Sequence, residues 1–151
     1  MCTLFDGMEW TFFATLTTPY EMSLPSARRL AERTHLMWTR MAGGQCRLLW
    51  VAERNQLRDG HHLHALVCLP DQFRQPHLHA ALCEAYSVAA VGGKAIANEG
   101  GKVTYERRAR IDLKRYDKRR NASGYLSKYM TKSSQLLDWD IHHPSCLTGT
   151  F

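Results

Sequence analysis

Nowhere in the 151 residues do about 18 apolar side chains follow one another, so no bilayer-spanning helix is expected. The five cysteines, Cys2, Cys46, Cys68, Cys83 and Cys146, form an odd set without a CxxC pair. That pattern indicates neither a zinc knuckle nor a disulfide framework and suits a reducing cytoplasm. Cys68 sits in an apolar run and Cys83 in an alanine-rich one, so both are expected to be buried thiols. "MCTLFDGMEW" has no basic stretch ahead of an apolar one, and secretion is not expected. No GxxxxGKS or GxxxxGKT stretch occurs, which leaves out a Walker-type nucleotide loop. Internal repeats, low-complexity segments and a clear linker are also lacking. A chain of this length is expected to form one domain with its own core.

Positive charge is what the sequence has in excess. Its 20 Lys and Arg outnumber 14 Asp and Glu, giving a net charge of +6 and a pI near 9.2. The excess gathers in "RRARIDLKRYDKRR", where Arg107, Arg108, Arg110, Lys114, Arg115, Lys118, Arg119 and Arg120 stand against two aspartates. Such density marks a candidate phosphate-binding surface; the alternative is a solvated basic strand and loop.

"WTFFATLTT" (10–18), aromatic and β-branched, predicts a first strand. "SLPSARRLAERTHLMWTRMAGG" predicts a helix with Pro25 in its first turn and Gly43 and Gly44 at its end. Ala27, Leu30, Ala31, Met37, Trp38 and Met41 recur at helical spacing and should form its buried face. "CRLLWVAE" and "HHLHALVCL" predict two strands joined by the polar turn "RNQLRDG". "PHLHAALCEAYSVAAV" predicts a second helix. "KVTYERRARIDLKRY" alternates enough to be one strand or a bulged hairpin arm. "NASGYLSKYMTKSSQLL" predicts a third helix capped by Asn121 or Ser123. Residues 1–136 are expected to be the working domain and 137–151 a loosely structured tail. The order βαββαβ(β)α predicts an α+β fold, a central antiparallel sheet with helices packed on it.

The string "HLHA" occurs twice, around His62 and His64 and around His77 and His79. Strand residues two apart share a face, roughly 6.5 to 7 Å apart at the backbone. Helix residues two apart diverge by about 200°. His62 and His64 fall in a predicted strand, so they are the candidate metal pair; His77 and His79 are not. If the arms around "RNQLRDG" pair, Glu53 lies opposite His62 and can supply a third donor, while His61 faces the other way. Two imidazoles and a carboxylate would leave positions open, as a catalytic cation needs. The alternative is a half-exposed polar strand face that holds no ion.

In "GYLSKYMTK", Tyr125 and Tyr129 lie four apart, on one helix face, and Lys128 and Lys132 repeat the step. A phenol with a pKa near 10 is a poor nucleophile unless nearby cations favour its anion. The alternative is that Leu126, Met130 and the tyrosine rings pack on the core.

Taken together, "FFATLTT", "HHLHALV" and "YLSKYMTK" resemble, in order, the three motifs of the HUH endonucleases. More narrowly they resemble the rolling-circle replication initiators of plasmids and small single-stranded-DNA phages. The doubled pattern YxxKYxxK is similar to that of two-tyrosine initiators. The resemblance spans Phe12 to Lys132 and implies an HUH/RRM-like sheet related to the ferredoxin-like fold. It implies Mg²⁺ or Mn²⁺ held by His62, His64 and Glu53, polarising a scissile phosphate of single-stranded DNA. It further implies attack by Tyr125, with Tyr129 as second nucleophile or packing residue, leaving a 5′-phosphotyrosine link and a free 3′-OH. Lys128 and Lys132 would position the phosphate or stabilise the phenolate. The basic segment would bind DNA, with Tyr105, Tyr116 and Phe73 stacking on unpaired bases. A host helicase and polymerase are the implied partners, and no membrane. Two other readings stay open: a single-tyrosine HUH transposase, and a non-catalytic RRM-like nucleic-acid binder. Those transposases usually carry a glutamine four residues after the tyrosine, where this sequence has Tyr129. Relaxases tend to show a third metal-motif histidine.

Overall fold

In a computed structural model, residues 8–91, 95–97, 103–105, 109–122, 124, 128 and 138–143 are described, with 95–97 and 103–105 in backbone only. Strand β1 (Phe12–Thr17) is followed by helix α1 (Leu24–Met41), strands β2 (Arg47–Arg54) and β3 (His61–Cys68), and helix α2 (Pro76–Val91). Strands β4 (Ala95–Ala97), β5 (Val103–Tyr105), β6 (Arg110–Arg115) and β7 (Trp139–His142) complete the described elements. Five strands form one antiparallel sheet in the order β6–β1–β3–β2–β7, and β4 and β5 pair separately. The α+β architecture is the one the element order predicts.

Strand alternation sorts the sheet into two faces. Phe12, Ala14 and Leu16 of β1, Leu48, Trp50 and Ala52 of β2, and Leu63, Ala65 and Val67 of β3 pack with α1 and α2 in the main core. Trp38 and Tyr86 enter from the helices and are fully buried, like Trp50. Rings of this size bury about 150–250 Å² each, worth roughly 4–6 kcal/mol apiece before entropy is counted. Exposed ion pairs contribute about 1 kcal/mol at most. Aromatic burial therefore dominates the helix-covered face. The opposite face carries a smaller cluster of Trp10, Leu49, Val51, Leu66 and Ala122.

Helix α1 starts where expected, with the Ser23 hydroxyl accepting from the Ser26 N–H and Pro25 in the first turn. It ends at Gly43, whose φ of 62° is the left-handed conformation that stops a helix. The buried face holds Ala27, Leu30, Ala31 and Trp38 as predicted, plus Thr34 and His35. Met41 is exposed instead, because it lies on the last turn beyond the sheet. His35 donates through Nε2 to the Cys46 carbonyl at 3.0 Å, which makes its burial possible.

Several expectations are corrected. The tail expected to be loose contributes β7, paired to β2 from Leu48↔His142 to Val51↔Trp139. Arg28 clips it by hydrogen bonds to Asp138 at 2.6 Å and Asp140 at 2.9 Å, and the Trp50 indole N–H donates to His142 Nε2 at 3.1 Å. Every one of those partners is distant in sequence, so the short polar segment gives no local sign of a strand. "KVTYERRARIDLKRY" divides between two sheets, β5 pairing with β4 and β6 with β1. Cys68 and Cys83 are half-buried; Cys46 is the buried thiol, pushed up to about 12 by desolvation.

Burial holds the His35 imidazole below its ordinary value of 6.5. The unfolded chain then takes up that proton first, so stability present above about pH 6.5 is lost on acidification. An NMR titration should find His35 protonating below 6.5; a midpoint at or above that value contradicts the assignment. Gly60 closes the β2–β3 turn with φ of 88°, and a Cβ there would lie 2.7 Å from the Met22 nitrogen. Gly60→Ala should therefore cost roughly 1–2 kcal/mol from backbone conformation alone, and more from the clash. An unchanged urea midpoint would speak against this.

Candidate metal centre

β3 presents His62 and His64 on the sheet face away from the helices, with Leu63 between them turned into the core. Antiparallel pairing sets Glu53 across from His62 and Val51 across from His64. The His64 Nε2 lies 2.7 Å from Glu53 Oε2, His62 Nε2 lies 3.3 Å from the same oxygen, and the two Nε2 atoms are 3.0 Å apart. These side chains are 10–20% exposed, a half-covered cluster open on one side. Among the described residues they form the one group of three or more potential metal donors.

Every ring in the cluster is braced from behind. His62 Nδ1 is 2.9 Å from Asn55 Oδ1, and His64 Nδ1 is 3.3 Å from the Thr15 hydroxyl. Phe13 stacks on His64, with ring centroids 5.8 Å apart. Desolvation pushes His62 below its ordinary 6.5 against the opposing pull of Glu53, which favours the neutral ring that a metal requires.

The donor triangle suits a small divalent ion. Neighbouring donors on an octahedron with bonds of ~2.1 Å lie about 3.0 Å apart. The three edges here run from 2.7 to 3.3 Å. Two nitrogens and one oxygen from the protein would leave the remaining coordination positions to water or substrate.

The other histidines are engaged elsewhere. His61 faces the helix side and donates through Nδ1 to the Met22 carbonyl at 2.9 Å. His77 and His79 lie on α2, where His77 is exposed and His79 donates to the Leu113 carbonyl at 2.8 Å.

Tyr125, Tyr129 and Lys132 lie outside the described residues, as do Arg107 and Arg108. Lys128 is helical and exposed. What is described is the approach to that segment. Asn121 Oδ1 accepts from the Gly124 N–H at 3.3 Å, as a helix cap does, and Ala122 is buried against Leu49, Val51 and Leu66. The chain therefore arrives on the same sheet face as the metal donors.

In β6, the register Thr15↔Asp112 and Phe13↔Lys114 turns Arg110 and Lys114 to that face. Arg115 donates to the Arg74 carbonyl at 3.2 Å. Arg119 pairs with Asp117 at 3.1 Å, while Lys118 and Arg120 are exposed. The Tyr116 hydroxyl donates to the Arg120 carbonyl at 2.6 Å. Phe13, Thr15, His64, Lys114, Tyr116 and Arg120 help line a cavity of about 390 Å³ beside the donors. Phe73, expected to stack on bases, is 2% exposed and belongs to the core. The short 71–74 turn carries it inward beneath α2, so it is unavailable. Asn55 and Thr15 went unnoticed in sequence; the threonine run of "FFATLTT" and an amide at the turn's start were their only signals.

Ligand binding to the folded state should stabilise by about 2.7 kcal/mol at a hundredfold excess over Kd, a shift of several degrees in a domain this size. Millimolar Mn²⁺ is expected to raise the melting temperature of the wild type and not that of Glu53→Gln or His64→Ala. Equal shifts in all three proteins would place the ion elsewhere.

Comparisons with curated proteins and with solved structures return no match. Among the described residues no helix is long and apolar enough to cross a membrane. The family model for the replication-associated protein ORF2 and its relatives matches residues 11–134, from the start of β1 through the segment that holds both tyrosines. That match covers most of the chain, which belongs to this replication-associated protein family.

Proposed function

We propose that the protein is an HUH-type endonuclease that nicks and rejoins single-stranded DNA at a replication origin to start rolling-circle replication. The convergence of Glu53, His62 and His64 on one open sheet face carries this reading. Family membership sides with an initiator rather than a transposase. The three donors hold Mn²⁺ or Mg²⁺, which when bound withdraws charge from the scissile phosphate. Tyr125 is the nucleophile: its oxygen bonds to phosphorus, the bond to the 3′ oxygen breaks, and that oxygen takes up a proton. The product is a 5′-phosphotyrosine link with a free 3′-OH. Because the link keeps the phosphodiester's energy, the reverse reaction joins strands without a nucleotide cofactor. Tyr129 serves as the second nucleophile, and Lys128 and Lys132 favour the phenolate.

Arrival of the chain on the donor face at Ala122, three residues before Tyr125, supports this arrangement. DNA is held by Arg107, Arg108, Arg110, Lys114, Arg115, Lys118, Arg119 and Arg120. The cavity of about 390 Å³ beside His64 offers room for a nucleotide flanking the scissile phosphate, with Tyr116 on its wall. Residues 1–136 form the nuclease unit, and a host helicase and polymerase extend the nicked strand in the cytoplasm.

Incubation with pooled single-stranded oligonucleotides and Mn²⁺ should give a gel-shifted band that survives boiling in detergent. Tyr125→Phe should abolish it. Adducts that persist in Tyr125→Phe and vanish in Tyr129→Phe reverse the two roles, and no adduct in the wild type leaves only a binding protein. Affinity should fall steeply with added salt, by one power of salt for roughly each phosphate neutralised. A flat salt response removes the basic segment from the interface.

A further inference from the structure

A histidine can ligate a metal only through the ring nitrogen that carries a lone pair, so its tautomer decides which way it works. For His62 that choice can be read from the loop after β2. The Asn55 side-chain amide donates through Nδ2 to the Asp59 carbonyl at 3.1 Å, and the Asn55 backbone N–H donates to the Gly60 carbonyl at 2.9 Å. A carbonyl only accepts, so the amide nitrogen must face Asp59. The amide oxygen is then the atom turned to His62, 2.9 Å from Nδ1. An oxygen acceptor at that distance requires a hydrogen on Nδ1. Neutral imidazole has a single N–H, which leaves the lone pair on Nε2. That is the atom 3.0 Å from His64 Nε2 and 3.3 Å from Glu53 Oε2. The Thr15 hydroxyl, able to donate and accept, imposes no such choice on His64.

We infer that Asn55 is a positioning residue of the metal centre: oriented by the Asp59 carbonyl, it locks His62 in the Nδ1–H form and aims Nε2 at the ion. This deepens the metal reading above and rests on it, while the lock itself belongs to the metal-free chain. Asn55 also closes the β2–β3 turn, so the conformation of residues 55–60 and the aim of a metal ligand are one constraint.

Two measurements test it. Long-range ¹⁵N–¹H correlation spectra of the metal-free protein near neutral pH should show His62 protonated on Nδ1. Asn55→Ala should shift the ring toward the Nε2–H form that free imidazole prefers. Protonation on Nε2 in the wild type, or an unchanged tautomer in Asn55→Ala, overturns the lock. In an Mn²⁺ titration followed by EPR, Asn55→Ala should bind 10–100-fold more weakly, and Asn55→Asp, which can still accept from Nδ1, within about threefold of wild type. Equal affinity in wild type and Asn55→Ala overturns the positioning role. No Mn²⁺ binding by the wild type overturns the metal reading and that role with it, even where the tautomer lock is found, which tells the two failures apart.

Discussion

The antiparallel register between β2 and β3 is the constraint on which the candidate centre depends. Pairing of Glu53 with His62 and Val51 with His64 brings three donors from two strands within 3.3 Å of one another. A slip of one residue would turn every side chain of the strand to the opposite face. The imidazoles would then enter the aromatic core and Leu63 would face solvent. Burial of Leu63, Ala65 and Val67 beneath the helices therefore specifies the polar site as strongly as any contact made by the histidines themselves. Gly60 and Asn55 hold the turn that starts this register.

The two faces of the sheet divide the labour. One is sealed by α1 and α2 over three buried tryptophan and tyrosine rings, Trp38, Trp50 and Tyr86. The other keeps a narrow apolar floor of Leu49, Val51 and Leu66 beside the polar cluster. A dry floor beneath half-covered donors lowers the local dielectric without closing the site, which strengthens electrostatics where a phosphate would approach. The rigidity comes from the sealed face, and the chemistry is left to the open one.

Charge follows the same division. Arg110 and Lys114 project from β6 on the donor side, whereas Arg115 is tied to the 71–74 turn. The basic run is thus split by strand alternation between a surface that can meet DNA and one that braces the fold. Arg28 does purely structural work, joining Asp138 and Asp140 to α1 and stacking over Trp50.

By itself the sequence determined the local periodicities and the chemistry they imply: the strands around "HLHALV", the capped helix α1, the basic segment, and which histidine pair shares a face. Alternation and capping act over a few residues, so they are visible in a linear string. Only the tertiary structure decided the rest. It drew β7 into the sheet through Arg28 and Trp50, buried Phe73, exposed Met41, split the basic stretch between two sheets, and set Asn55 and Thr15 behind the imidazoles. Each of these depends on a partner distant along the chain or on the end of a packed layer, and such partners meet only when the whole core closes.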